Sequence, residues 1–161
     1  MKLKLILKNI NDYSDITYHK YYQSLNNYQK SKINKLKRIE DKKLSLLGMM
    51  LVAHELNINI KDIHYSKRKP YVKQNIYFSI THKYPYVGVI VSPYPVGIDL
   101  EILNRVKKCI QEYLNSSSSL EALINWTKKE SIIKYGHLEP RRTQTIIINH
   151  KLIITICMKR D

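Results

Sequence analysis

The chain has 161 residues and a mass of 19.1 kDa, a size that suits one domain or two small halves sharing a core. Lysine and arginine number 28 against 13 acidic residues, so the formal net charge of +15 predicts an anionic partner: nucleic acid, a membrane surface, a phosphorylated cofactor or an acidic protein. A hydrophobic content of 43% argues against disorder, and the apolar runs are too short for a membrane span. The lysine-interleaved start lacks the pattern of a signal peptide, and Cys109 and Cys157 provide no disulfide framework. We therefore expect a reduced, cytoplasmic protein.

The N-terminal part of the chain predicts one strand followed by helices. Leucines at alternate positions from Leu3 to Leu7 predict a half-buried strand. The tyrosine-rich segment 13–28 predicts helix and loop, and the spacing of apolar residues in 30–56 is helical. Between Lys20 and Lys73 there are 13 basic residues against 4 acidic ones, so most of the excess charge lies in this half.

The rest of the chain predicts a β-sheet, one long helix and a terminal hairpin. Residues 67–71 predict a basic loop interrupted by Pro70. The β-rich runs 76–82 and 87–91 predict a hairpin, and 96–101 is predicted as a third strand of the same sheet. The later elements are a polar spacer at 115–119, a helix at 120–135 ended by Gly136, and a hairpin of 145–149 with 152–157.

Two acidic side chains lie two residues apart in the strand predicted at 96–101. Because alternate residues of a strand point to the same side, Asp99 and Glu101 face one way while Ile98 and Leu100 enter the core. Neighbouring carboxylates repel each other unless a cation lies between them, and oxygen ligands suit Mg²⁺ or Mn²⁺. The alternative is a solvent-exposed strand face that happens to be acidic.

Three further segments offer charged groups, each with an ordinary structural alternative. On the helix at 120–135, Glu130 and Lys134 are one turn apart and provide either a third carboxylate with a cation or a surface ion pair. His82 ends a strand and is either a ligand or a structural histidine. The basic loop 67–70 either binds phosphate or is a solvated turn.

Taken in chain order, these four segments resemble the motifs of the 4′-phosphopantetheinyl transferases. The segments are basic-Lys-Pro-Tyr, Phe-Ser-Ile-Thr-His, Val-Gly-Ile-Asp-Leu-Glu and Trp-Thr-Lys-Lys-Glu-Ser-Ile-Ile-Lys. The resemblance covers residues 32–136, and the long chain before Asp99 favours the pseudo-dimeric, Sfp-like branch over the trimeric branch. It implies an α+β fold of two similar halves, 1–95 and 96–161, each a small antiparallel sheet packed with helices. The active site would lie in the cleft between them, and the C-terminal half is shortened.

Such enzymes transfer the phosphopantetheine arm of coenzyme A to a serine of an apo acyl or peptidyl carrier protein and release adenosine 3′,5′-bisphosphate. The resemblance implies that Asp99, Glu101 and Glu130 hold Mg²⁺, with Mn²⁺ as an alternative. Glu130 would also help to deprotonate the serine, and Lys134 would stabilise the leaving bisphosphate. The implied coenzyme A contacts are Lys32, Lys69, Thr81 and His82.

The implied partners are coenzyme A and an acidic carrier protein of fatty-acid, polyketide or peptide synthesis. We expect a monomer that binds neither membrane nor nucleic acid. The sequence departs from the family pattern at Arg68, which replaces a glycine, and at Thr81, which replaces a serine. Leu44 replaces an arginine that contacts coenzyme A, for which Lys42 or Lys43 could substitute. Two alternatives stay open: a family member that binds coenzyme A or a carrier without catalysis, and a basic nucleic-acid-binding protein.

Overall fold

The computed structural model describes residues 2–66, 69–103, 114, 116, 118–136 and 141–160. The chain divides into two compact units, Met1–Pro93 and Tyr94–Asp161. The elements of the first unit are β1 (Lys4–Asn9), α1 (Asp15–Gln23), α2 (Asn27–Asn34), α3 (Ile39–Leu56), β2 (His64–Ser66), β3 (Lys69–Tyr71), β4 (Tyr77–Lys83) and β5 (Tyr86–Ser92). Those of the second are β6 (Val96–Ile102), α4 (Ser119–Tyr135), β7 (Arg141–Ile148) and β8 (Leu152–Lys159).

The first unit is built around a three-stranded antiparallel sheet in the order β1-β5-β4. Helix α3 packs on this sheet, and β2 and β3 form a separate two-stranded hairpin. Buried aliphatic side chains from α3 and β5 fill the space between them: Leu44, Leu47, Val52, Val87, Val89 and Val91. This is the burial expected of an amphipathic helix that covers one face of a sheet.

The helical pattern at 30–56 forms two helices rather than one. Helix α2 begins with a capping box in which the Asn26 side chain accepts from the Gln29 backbone and the Gln29 side chain accepts from the Asn26 backbone. It ends at Asn34, and α3 begins at Ile39. The Gln29 amide nitrogen also donates to the carbonyl oxygens of Ile60 and Ile63, which anchors α2 to the segment before β2.

The second unit is also a three-stranded antiparallel sheet, in the order β6-β8-β7, covered by helix α4. The Ser118 hydroxyl accepts a hydrogen bond from the Glu121 backbone at the start of α4. The helix ends at Gly136, whose φ of 67° lies in the left-handed region that favours glycine. The predicted helix and terminal hairpin are thus confirmed with small shifts of their ends.

The two units share one internal topology. In each, a first strand is followed by helix and then a hairpin, and the last strand lies between the other two in the sheet. The prediction of an α+β fold with small antiparallel sheets and packed helices is confirmed. The sequence itself shows no repeat, because this topology needs only the same order of elements and not the same residues.

Two sequence-based expectations about strands were wrong. Strand β6 does not extend the sheet of β4 and β5: it pairs with β8, while β1 takes the outer place beside β5. Strand order depends on pairing between distant segments, and the local pattern of residues 96–101 cannot encode it. Lys69–Tyr71 is not a loop but a strand that pairs with His64–Ser66. Lys67, Arg68 and Cys109 lie outside the described residues, as do positions 115 and 117 of the polar spacer.

Within the described ranges, no helix combines the length and the apolar content that a membrane crossing requires.

Candidate functional site

The two carboxylates of β6 are buried. Asp99 and Glu101 are 6% and 7% exposed, so the alternative of a solvated acidic strand face is wrong. They share the strand face of Gly97, which lies against α4, while Ile98 and Leu100 are buried on the opposite side. Burying a carboxylate is costly unless a cation or hydrogen-bond donors accompany it, so this face requires such partners.

Gly97 allows the backbone of α4 to pack directly against the backbone of β6. A Cβ atom on this residue would lie 2.1 Å from the Ser131 carbonyl oxygen and 2.4 Å from the Tyr135 backbone nitrogen. Both are backbone atoms and cannot rotate away. The glycine of the Val-Gly-Ile-Asp motif therefore fixes the distance between the helix and the acidic strand.

Lys134 meets Asp99 at this contact. Its Nζ donates to Asp99 Oδ1 over 2.7 Å, and the two side chains are 30% and 9% exposed. The pair is thus buried on its acidic side and reached by water on its basic side. A charge-assisted hydrogen bond in such a setting is stronger than a surface ion pair.

Glu130 is half-buried on α4, one turn before Lys134. In the described parts of the chain, no three His, Cys, Asp or Glu side chains are grouped as a metal site. The structure therefore brings Asp99, Glu101 and Lys134 to one place but does not group Glu130 with the two strand carboxylates. The donor set still suits Mg²⁺, because it consists of oxygen atoms and because the Lys134 ammonium already marks one cation position on Asp99.

A row of hydroxyl groups continues from Asp99 across the sheet. Asp99 is registered with Thr155 on β8, and Thr155 with Thr145 on β7. The Thr155 hydroxyl lies 2.9 Å from that of Thr145 and 2.8 Å from that of Thr127 on α4. Sequence reasoning missed this row, although a lone threonine in the apolar run of β8 is a usable signal.

In the first unit, Lys32 lies against an aromatic pair. Its Nζ is 4.0 Å from the centre of the Tyr65 ring and 5.7 Å from that of Tyr28. Tyr65 on β2 is registered with Pro70 on β3, so Lys32 and Lys69 lie at the same hairpin. Partial burial lowers the pKa of Lys69, although the residue keeps an exposed surface.

Thr81 and His82 are neighbours in β4 and point to opposite faces of its sheet. Thr81 is 3% exposed, whereas His82 is exposed. Only one of them can therefore point directly at a ligand that lies on one side of the sheet.

Leu44 and the neighbouring lysines face different parts of the first unit. Leu44 is 1% exposed and packs in the core with α3's other apolar residues. Lys43 turns to α1, where its ammonium pairs with Asp15 and lies 5.4 Å from the centre of the Tyr18 ring. Lys42 lines the same groove of about 430 Å³ between α1 and α3.

The fold and the site together describe an α+β protein with a buried acidic strand, a lysine held against it by a helix, and ordered lysines in the other unit. Carboxylates such as those of the second unit suit divalent cations, and lysines such as those of each unit suit phosphates. No family model matches the chain. The chain is similar to the protein named 4′-phosphopantetheinyl transferase gsp of Aneurinibacillus migulanus, with 32% identity over 116 residues, 60% of this chain and 49% of the relative.

The chain thus spans about half the length of the curated relative it matches. This similarity confirms the resemblance to the 4′-phosphopantetheinyl transferase superfamily that the four motifs predicted.

Proposed function

We propose that this chain is a Mg²⁺-dependent 4′-phosphopantetheinyl transferase of the holo-acyl-carrier-protein synthase type. It transfers the arm of coenzyme A to a serine of an apo carrier protein and releases adenosine 3′,5′-bisphosphate. The observation on which the proposal depends most is the buried Asp99–Glu101 pair with Lys134 at 2.7 Å, in a chain similar to a protein with this name.

In this proposal the residues of the second unit serve the reacting phosphate. Asp99 and Glu101 would hold Mg²⁺, with Mn²⁺ as an alternative, and Glu130, which the structure does not group with them, would be the third ligand. The metal would offset the charge of the pyrophosphate. Glu130 accepts the proton of the carrier serine, directly or through a water molecule, as the serine oxygen forms its bond to phosphorus. The bond from that phosphorus to the bisphosphate oxygen breaks, and Lys134 stabilises the charge that develops there.

The residues of the first unit bind coenzyme A. Lys32 and Lys69, which lie at one hairpin, are proposed to contact the phosphates at the nucleotide end. His82 is exposed at the end of β4 and is proposed to contact a phosphate, with Thr81 as its neighbour on the other face. Ordered ammonium groups at a fixed place reduce the entropy that a phosphate contact costs.

The net charge of +15 suits both proposed partners, because coenzyme A and carrier proteins are anionic. The carrier belongs to fatty-acid, polyketide or peptide synthesis. We further propose two halves, 1–95 and 96–161, in a cytoplasmic monomer, and no function in binding membranes or nucleic acids.

The test is a transfer assay with purified protein, coenzyme A, Mg²⁺ and several apo carriers, read by mass spectrometry. An active enzyme yields a carrier heavier by one phosphopantetheinyl arm. Glu130→Gln should abolish this gain, whereas Glu121→Gln, at the exposed start of the same helix, should preserve it. Full turnover by Glu130→Gln would remove Glu130 from the catalytic residues.

Two results would replace the proposal. Coenzyme A binding without transfer to any carrier, with Mg²⁺ or Mn²⁺, would identify a family member without catalysis. DNA binding that falls steeply as salt rises, with no coenzyme A binding, would identify a nucleic-acid-binding protein.

A further inference from the structure

Lys134 and a divalent cation would compete for the same atom. The ammonium nitrogen lies 2.7 Å from Asp99 Oδ1, at hydrogen-bond distance, on the buried face of β6. A divalent cation coordinated by this carboxylate oxygen lies at about 2.0–2.6 Å from it. Two positive centres that close to one oxygen repel each other, so binding of a metal ion to that oxygen weakens the bond from Lys134.

We infer that Lys134 is a built-in counter-ion of Asp99 that is exchanged for the divalent cation. The inference rests on the proposed function and concerns the regulation of its metal site. In the metal-free protein, the ammonium offsets the repulsion between two carboxylates that share one strand face. When the cation binds, the ammonium is released.

The surroundings of Lys134 allow its side chain to leave Asp99 with little loss of packing. Its side chain is 30% exposed, whereas that of Asp99 is 9% exposed, so the lysine can turn towards water while the carboxylate stays. Its backbone cannot follow, because α4 is held against β6 at Gly97. The released ammonium therefore stays within one side-chain length of the acidic pair, where it can meet an arriving phosphate.

Mn²⁺ binding without coenzyme A, measured by electron paramagnetic resonance, tests the exchange apart from transfer activity. Lys134→Met should bind Mn²⁺ about tenfold more tightly than the wild type, because the metal no longer displaces a charge-assisted hydrogen bond. Lys129→Met, an exposed lysine of the same helix, removes the same charge without this contact and should change affinity much less. Equal affinities of the wild type and Lys134→Met would overturn the exchange.

A second measurement uses the wild-type protein, so it does not depend on how a variant folds. Amines are acetylated briefly with and without Mg²⁺, and the modified peptides are quantified by mass spectrometry. Mg²⁺ should raise the labelling of Lys134 severalfold and leave Lys129 unchanged. Unchanged labelling of Lys134 at metal saturation would overturn the exchange, although the transferase proposal would stand. Failure of the wild type to bind any divalent cation would overturn the exchange and the proposed metal requirement together, whatever the transfer assay shows.

Discussion

The close approach of α4 to β6 at Gly97 predicts that one added methyl group will destabilise the second unit strongly. In Gly97→Ala, the new Cβ would lie 2.1 Å from the Ser131 carbonyl oxygen and 2.4 Å from the Tyr135 backbone nitrogen. Ordinary contacts begin at 3.4 Å, so α4 must move away by about 1.3 Å, the difference between 3.4 and 2.1 Å. A shift of that size also moves the backbone of Lys134 relative to Asp99, so the lysine side chain must change its conformation to keep the 2.7 Å bond.

The size of the effect follows from the atoms involved. Overpacking a core costs about 1–3 kcal/mol, and backbone atoms that cannot rotate away place Gly97→Ala at the upper end, about 3 kcal/mol. For a chain of this length, each kcal/mol lowers the melting temperature by about 2–4 °C, so the variant should melt about 6–12 °C below the wild type.

Gly48→Ala is the matched control. Its Cβ would lie 2.6 Å from the Cγ2 atom of Ile80, which can move only if this β-branched side chain rotates about χ1, whereas the atoms met at Gly97 belong to the backbone. Alanine is also better than glycine within a helix by about 1 kcal/mol. We therefore expect a smaller fall in melting temperature than in Gly97→Ala, measured by circular dichroism. If Gly97→Ala melts as the wild type does, or if both variants lose equal stability, backbone packing at Gly97 does not fix the position of α4.

Three further predictions concern buried or partly buried side chains. Thr155→Val should lower the free energy of unfolding by about 1–3 kcal/mol in urea denaturation, because the hydroxyl groups of Thr127 and Thr145 lose a hydrogen-bond partner. The double change Thr155→Val and Thr127→Val should lower it by less than the sum of the two single changes. Burial lowers the pKa of Lys69, so this lysine loses its charge at a pH below the ordinary lysine value of 10.5. Coenzyme A affinity, measured by calorimetry, should therefore begin to fall below that pH, and in Lys69→Arg the fall should begin at a higher pH. Burial raises the pKa of Tyr18 and Tyr65 to about 12, so the unfolded chain loses these protons at a lower pH than the folded chain. The free energy of unfolding, measured by urea denaturation, should therefore fall between about pH 10 and 12. A constant value over this range would contradict the burial of these tyrosines.

Local patterns predicted most of the elements but not their partners. The alternation at Leu3–Leu7, the apolar runs of β4 and β5 and the helix that ends at Gly136 all depend on neighbouring residues, which sequence periodicity records. The partner of β6 depends on a segment fifty residues away, and the prediction for it was wrong. The equal topology of the two units was likewise invisible in the residues, because many different apolar side chains can fill the same positions.

The sequence likewise predicted some features of the candidate site and missed others. The shared face of Asp99 and Glu101 followed from strand geometry, and the contact of Lys134 with Asp99 is added by the structure. The burial of the acidic pair did not follow, because it is produced by α4 and by the absence of a side chain at Gly97. The stacking of Lys32 on Tyr65 joins α2 to a hairpin thirty residues further on, which no local pattern specifies.

The replacement of the family arginine by Leu44 has a structural explanation that also limits its substitutes. Successive residues of a helix point about 100° apart, so Leu44 faces the core of the first unit while Lys43 faces α1 and Asp15. Lys42 lines the same groove as Lys43, and neither lysine points where a side chain at position 44 would point. In the proposed function, positive charge for that end of coenzyme A would come from other elements, and Lys32 and Lys69 at the β2–β3 hairpin are its proposed sources. The family's contact is thus not rebuilt on the same helix, and the nucleotide end of the proposed site depends on aromatic and backbone contacts that hold two lysines in place.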